Sequence, residues 1–291
     1  MAAPIFKLLG TTFKRFNADR CLSHSIVISY FTLMCAVPLV ALFAFVTAKV
    51  LGSSELAVRS LNIFTEDFFA KFDPSFFKRI GDVSKSFVDL GWFGLLGSFI
   101  AGSFLFSNLI YAINFIFKSN YRKSFFYNRL MEYLIMLIIG IILFFSLSIT
   151  AVWTALHAAI KKTSLVHDYL NPDIMTIMDN FFVQYLIPFT LGFLVLYVLY
   201  KFIPEVKVAT RAAAIAAAVG SVLWEIFKRI FVFYVANFSA VGIVMSKLLQ
   251  GTLTSIIFFL LWISFSLGIL LWGAELAAVL NERILEKKVQ A

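Results

Sequence analysis

Two carboxylates lie inside sequence that is otherwise close to solid hydrocarbon. Glu225 falls in "LWEIFKRIF", Leu223 to Phe231, with Lys228 and Arg229 three and four residues further on. Those offsets share one face of a helix, so the carboxylate and a cation can pair within a single turn. Glu275, in "GILLWGAELAAVL", has no cation within one turn. Its partner has to come from another helix, from water or from its own protonation. Ionisable groups in apolar helices face a polar cavity or the bundle interior, and they mark substrate or ion pathways. A plainer role stands beside each. Glu225 could be a self-neutralised anchor at a membrane interface, and Glu275 could cap a neighbouring backbone in a tight helix contact. Uncharged polar residues, Asn108, Asn114 and Gln184, also interrupt the apolar runs.

Other chemistries are poorly served. Metal-dependent hydrolysis needs clustered His, Asp or Glu ligands, but His24, His157 and His167 are scattered and no HExxH occurs. No GxSxG supplies a nucleophile elbow, and no P-loop supplies a phosphate cradle. No aspartate falls in the apolar stretch of a span, which disfavours intramembrane proteolysis. The expectation is a protein that is not an enzyme and uses neither metal nor cofactor.

The elements that position these residues follow from composition. Of 291 residues, 61% are hydrophobic and 14% charged, with a mean hydropathy of +0.92. A soluble domain carries about 25% charged residues to cover its core, so this chain belongs in a membrane. The net charge of +9 suggests phosphate binding. The cations, however, sit in short clusters between apolar runs, as on the cytoplasmic flanks of membrane helices, which argues against nucleic acid as a partner. Cys21 and Cys35, on one helix, would lie about 21 Å apart along its axis and cannot pair. "MAAPIFKLLGTTFKRFNADR" scatters charge among its apolar residues and does not read as a cleavable signal.

Six runs reach the roughly 20 residues needed to span a bilayer: Leu22–Leu51, Trp92–Phe117, Tyr133–Ile160, Phe181–Ile203, Ala209–Val232 and Leu253–Leu280. The fold expected is all-α, a single polytopic membrane domain over residues 1–291 built as a six-helix transmembrane bundle. Cations before the first run, in alternate links and in the tail place both termini in the cytoplasm. On that orientation Glu225 lies about 20 Å up its helix, with Lys228 and Arg229 near enough to the outer surface to snorkel. Glu275 lies about 12 Å above the inner surface. Residues 1–20 predict a cytoplasmic amphipathic helix, with Ile5, Leu8, Leu9, Thr12, Phe13 and Phe16 opposite Lys7, Lys14 and Arg15. Residues 53–90 predict a phenylalanine-rich periplasmic helical hairpin, with Asp73 and Pro74 opening its second helix.

Four blocks, in order, resemble the YihY/BrkB family of bacterial inner-membrane proteins, formerly labelled ribonuclease BN. "SYFTLMCAVPLVALF" carries the likeness on Ser29, Tyr30, Leu33, Pro38 and Leu39, and "YAINFIF" on Ala112 and Asn114. "FIPEVKV" and "LWEIFKRIFVFY" carry it on Pro204, Leu223, Trp224, Glu225, Lys228, Phe231 and Tyr234. "LLWISFSLGILLWGAEL" carries it on Trp262, Ser264 or Ser266, Gly273, Ala274, Glu275 and Leu276. The sequence departs at "LLQGTL", where Gln250 stands in place of the family's frequent tyrosine. The resemblance implies a bacterial cytoplasmic-membrane protein of about six helices. It brings no settled activity, and the nuclease label finds no support in these residues.

Two functions fit. One is a transporter or flippase-like protein for an envelope lipid or other amphiphile, with membrane lipids as partners and a lipid-like substrate. Pro38 and Pro188 would supply kinks for it. The other is a non-transporting envelope scaffold whose polar residues serve as interhelical glue.

Overall fold

A computed structural model describes residues 2–51, 92–119, 126, 129–142, 186–237 and 252–289. Among the described residues the chain is all helical, with no strand. We number the helices α1 (Ala2–Ala18), α2 (Cys21–Leu51), α3 (Trp92–Ile116), α4 (129–142), α5 (Ile187–Phe202), α6 (Thr210–Asn237) and α7 (Thr252–Val289). Each of the six apolar runs coincides with a helix over its described part. Two windows, Phe99–Ile116 and Ile256–Glu286, are long and apolar enough to cross a membrane, and Cys21–Ala36 and Pro188–Phe202 are shorter apolar segments. The expected hairpin at 53–90 lies outside the described residues, and so does Gln184.

Helix α7 is the hub. It packs against α6 and α2 most extensively, and also against α1, α3 and α5, while α2 pairs with α3 and α5 with α6. At 1.5 Å per residue its 38 residues extend about 57 Å, well beyond an approximately 30 Å hydrocarbon core. The helix runs nine residues past the end of the apolar run at Leu280. The tail "NERILEKKV" is rich in helix-forming residues, and hydropathy alone does not register that propensity.

Small side chains let the hub come close to its neighbours. Ala212, Ala213, Ala216 and Ala217 of α6, with Ala274 and Ala277 of α7, are wholly buried. Tyr200 of α5, also wholly buried, donates its hydroxyl to the Leu270 carbonyl across 2.8 Å. Gly273 makes room for that ring, since a methyl there would run into the hydroxyl and come within 2.9 Å of Cζ.

Polar side chains close the inter-element joints. The α5–α6 linker carries backbone groups through the packed end of the bundle. Asn114 of α3 accepts from the Glu205 N–H at 3.0 Å. Asn281 of α7 accepts from the Ala209 N–H at 2.8 Å and donates to the Lys207 carbonyl at 3.2 Å. Lys201 donates to the Val208 carbonyl, and Pro204 is buried in the same linker. The α3 end is a Schellman closure, with Lys118 at φ 52 while Lys118 N–H reaches Phe115 O and Ser119 N–H reaches Asn114 O.

Helix α1 forms over Ala2–Ala18 as an amphipathic helix, but its apolar positions do not share one environment. Leu8, Thr12 and Phe16 pack inward, with Thr12 fully buried, whereas Leu9, Phe13 and Phe6 on the neighbouring face are exposed. Arg15, grouped by sequence with the solvent-facing cations, instead forms a bidentate pair with Glu282 of α7 at 2.9 and 2.6 Å. Docking against α7 splits the apolar face in two.

Asn281→Ala strands two backbone groups of a packed linker and is expected to cost about 2 kcal/mol or more. Asn108 donates to Phe104 O within its own helix at an exposed position, so Asn108→Ala should stay within about 0.5 kcal/mol. Unfolding of the two variants in detergent checks the contrast. Gly273→Ala should cost about 1–3 kcal/mol by overpacking, and Tyr200→Phe in the same chain should return part of it.

Candidate functional site

Glu225 of α6 and Glu275 of α7 lie in two separate groups. In the first, Lys228 brings its ammonium to 2.7 Å from each Glu225 oxygen, one helical turn away. The pair is only partly withdrawn from the surface, with side-chain exposures of 13% for Glu225 and 22% for Lys228. Trp224, one turn before Lys228, places its ring 5.6 Å from the same ammonium.

Aromatic rings continue this wall onto α7. Trp262, nearly buried, stacks on Phe227 with centroids 5.0 Å apart and meets Phe231 at 5.0 Å and Trp224 at 6.3 Å. Phe265 follows at 5.6 Å from Phe227. Arg229 is exposed on the next position of the helix. The result is an ion pair bordered by indole and phenyl rings, with exposed Ile226 and Ile230 alongside. Such a surface offers a polar point of attachment next to a broad apolar one.

The second group surrounds Glu275, which is 0% exposed. Its Oε1 accepts from the Cys21 thiol of α2 at 3.6 Å, and its Oε2 has no hydrogen-bond donor. Asp19 lies two residues before Cys21, in the turn between α1 and α2. The partner of Glu275 therefore comes from another helix, but that partner is a thiol rather than a cation. Both cysteines are free.

The remaining sequence-selected residues are dispersed. Asn114 staples the α5–α6 linker and Asn108 bonds within α3. Tyr30 is exposed on α2, and Pro38 sits inside that helix. Trp224 belongs to the aromatic wall, while Pro204 and Gly273 shape the packing near Tyr200 and the linker. Glu225 and Glu275 belong to separate groups.

A further buried carboxylate went unmarked in the sequence. Glu132 of α4 is 4% exposed and accepts from Arg129 at 2.7 Å, and Arg129 also donates to Ser103 of α3 at 3.2 Å. The i,i+3 spacing of Arg129 and Glu132 ahead of "YLIMLIIG" carried the signal. No group of three or more His, Cys, Asp or Glu residues among the described residues could hold a metal ion.

Glu225→Gln leaves Lys228 with an aromatic face but no counter-charge. The pair is neither fully buried nor fully solvated, so the expected loss is about 1–3 kcal/mol, between the surface and buried limits. The double variant Glu225→Gln/Lys228→Met should recover most of it, because an apolar pair of similar volume removes both charges together. Thermal unfolding in detergent measures both, and an unchanged midpoint for Glu225→Gln would show that the pair contributes nothing to the fold.

The sequence matches the family described as Virulence factor BrkB over residues 12–291. Among curated proteins it is 26% identical over 286 residues to a UPF0761 membrane protein of Acinetobacter baylyi, covering 95% of this chain and 62% of that one. The chain thus spans less than two thirds of that relative's length. It is 26% identical over 274 residues to a UPF0761 membrane protein of Vibrio campbellii, covering 93% and 81%. A Mannheimia succiniciproducens UPF0761 membrane protein is 27% identical over 295 residues, covering 97% and 92%. No solved structure matches. With the four sequence blocks, the helical fold and a family match over nearly its whole length, the chain belongs to the BrkB family of membrane proteins.

Proposed function

We propose that this protein moves, or helps to move, a lipid-like envelope molecule across or within the bacterial cytoplasmic membrane. The observation that carries the reading is the partly accessible Glu225–Lys228 pair set in the Trp224–Phe227–Trp262 wall. An amphiphile needs a polar point for its head and an apolar, laterally open surface for its tails. A channel for soluble solutes would need a continuous polar stripe, and the polar residues of α6 and α7 are isolated instead. In the N-in, C-in orientation the pair lies toward the outer leaflet, where cations meet anionic headgroups at little cost. No chemical transformation is required of the chain, and neither metal nor cofactor enters this reading.

The scaffold reading has its own support in Asn114 and Asn281, whose side-chain groups are taken up by linker backbone. Those residues act as interhelical glue. Polar residues near the linker therefore serve the fold, whereas the Glu225–Lys228 pair keeps part of its charge accessible beside the aromatic wall.

Purified protein in liposomes, with headgroup-labelled phospholipids or glycolipids and a leaflet-selective quencher, tests the proposal. Wild type should change the accessible lipid fraction faster than empty liposomes. Glu225→Gln/Lys228→Met, with its fold retained, should be slower by at least about tenfold, equivalent to about 1.4 kcal/mol on the barrier. Wild-type rates equal to empty liposomes across a broad lipid panel would favour the scaffold.

A further inference from the structure

Helix α1 meets the bundle with one stripe and leaves a second apolar stripe uncovered. Leu8, Thr12 and Phe16 face inward, and Arg15 beside them is held bidentately by Glu282. On the far side Phe6 is 75% exposed and Phe13 59%, with exposed Leu9 between them. These three stand at i, i+3 and i+7, so they form one strip along the helix. Gly10 lies in the same strip, and a methyl added to it would meet nothing within 4 Å.

The charge bordering this strip is all of one sign. Lys7 and Lys14 each follow a phenylalanine of the strip and are exposed about 100° around the helix from it. Arg20 is exposed in the turn that follows. Helix α1 contains no acidic residue, and Asp19 in the turn is partly buried. Sequence spacing groups Arg15 with these cations, but its pairing with Glu282 withdraws it.

The turn fixes where the strip sits. Arg20 adopts left-handed backbone, φ 50, so α1 stops at Ala18 and α2 begins at Cys21 without a linker. Helix α2 then presents Leu22, Ile26, Val27 and Tyr30, each about half exposed, as the acyl-facing side of a membrane helix does. The strip of α1 adjoins that surface through two residues of turn. A row of uncovered phenyl rings, bordered by cations and starting where a membrane helix starts, suits the boundary between acyl chains and anionic headgroups.

We propose that α1 binds anionic lipid of the leaflet on its own side of the membrane, the cytoplasmic one in the N-in, C-in orientation. Phe6, Leu9 and Phe13 enter the upper acyl region, and Lys7, Lys14 and Arg20 meet headgroup phosphates. Arg15 takes no part, because its guanidinium belongs to the joint with α7. The contact is separate from the Glu225–Lys228 group and independent of which molecule the protein carries.

A dye attached at Gly10→Cys in the full chain reads this contact, since Cys21 and Cys35 are both buried. The vesicles are phosphatidylcholine with an equal small fraction of doxyl-labelled phosphatidylglycerol or doxyl-labelled phosphatidylcholine. The anionic quencher should be the more effective at low salt. A cation near an anionic surface contributes about fivefold to lipid affinity, so Lys7→Gln/Lys14→Gln should reduce that preference by about fivefold or more. Molar salt should reduce it likewise. Phe6→Ser/Phe13→Ser should weaken quenching by both lipids. Because these side chains are exposed, both double variants should keep the wild-type unfolding midpoint in detergent, which separates a lost lipid contact from a damaged fold. Equal quenching by the two lipids, or a preference that the lysine substitutions leave unchanged, would overturn the proposal. So would a dye that aqueous iodide reaches and neither lipid does. A dye shielded from iodide and from both lipids would overturn it as well, because a protein surface, a second copy included, would then cover the strip.

Discussion

A carboxylate at zero exposure on the central helix constrains the rest of the bundle. Burying Glu275 alone would be prohibitive, so another part of the chain must come to it. The α1–α2 turn does so, bringing the Cys21 thiol, while Arg15 secures α1 about two turns further along on Glu282. The opposite side of the same hub closes by equivalent means. Asn281 reaches the α5–α6 linker, and Tyr200 reaches the α7 backbone through the space left by Gly273. Apolar contact supplies area, but these directional contacts fix which elements meet α7 and where.

The same hub also carries the aromatic wall, so the two charged groups are mechanically related without being adjacent. Trp262 lies thirteen residues before Glu275 on α7, about 20 Å along the axis. A shift of α7 against α6 would disturb the Phe227–Trp262 stack beside Glu225 and Lys228. It would also disturb the small-residue contact at the other end. A rigid helix joining the surroundings of the Glu225–Lys228 pair to the α1–α2 turn gives the proposed transport a physical route for coupling, through displacement of a single element.

Much of the helical order was legible because apolar runs of membrane length are strong signals. Their ends were less so. The extension of α7 to Val289 is polar and helix-forming, and it is invisible to hydropathy. The Glu225–Lys228 pairing could be read from i,i+3 spacing, because both partners share one helix. The environment of Glu275 could not, since Cys21 lies more than 250 residues away in sequence. Asn114 looked like a pathway residue because an amide in an apolar run gives no hint of the distant backbone it will satisfy. Glu132 was passed over for its place at the edge of a run, where a charge looks like a flank. Helix α1 shows the general difficulty. Periodicity finds its apolar positions but not the division that docking imposes between Leu8, Thr12 and Phe16 inside and Phe6 and Phe13 outside.

The central functional claim is that the Glu225–Lys228 pair and its aromatic wall meet a lipid. A density map of the protein in nanodiscs of bacterial lipids tests it most directly. The expected result is headgroup density against Lys228 with acyl-chain density along Trp224 and Ile226. A map in which protein alone covers the pair on every side, with no lipid within contact distance, would contradict the account.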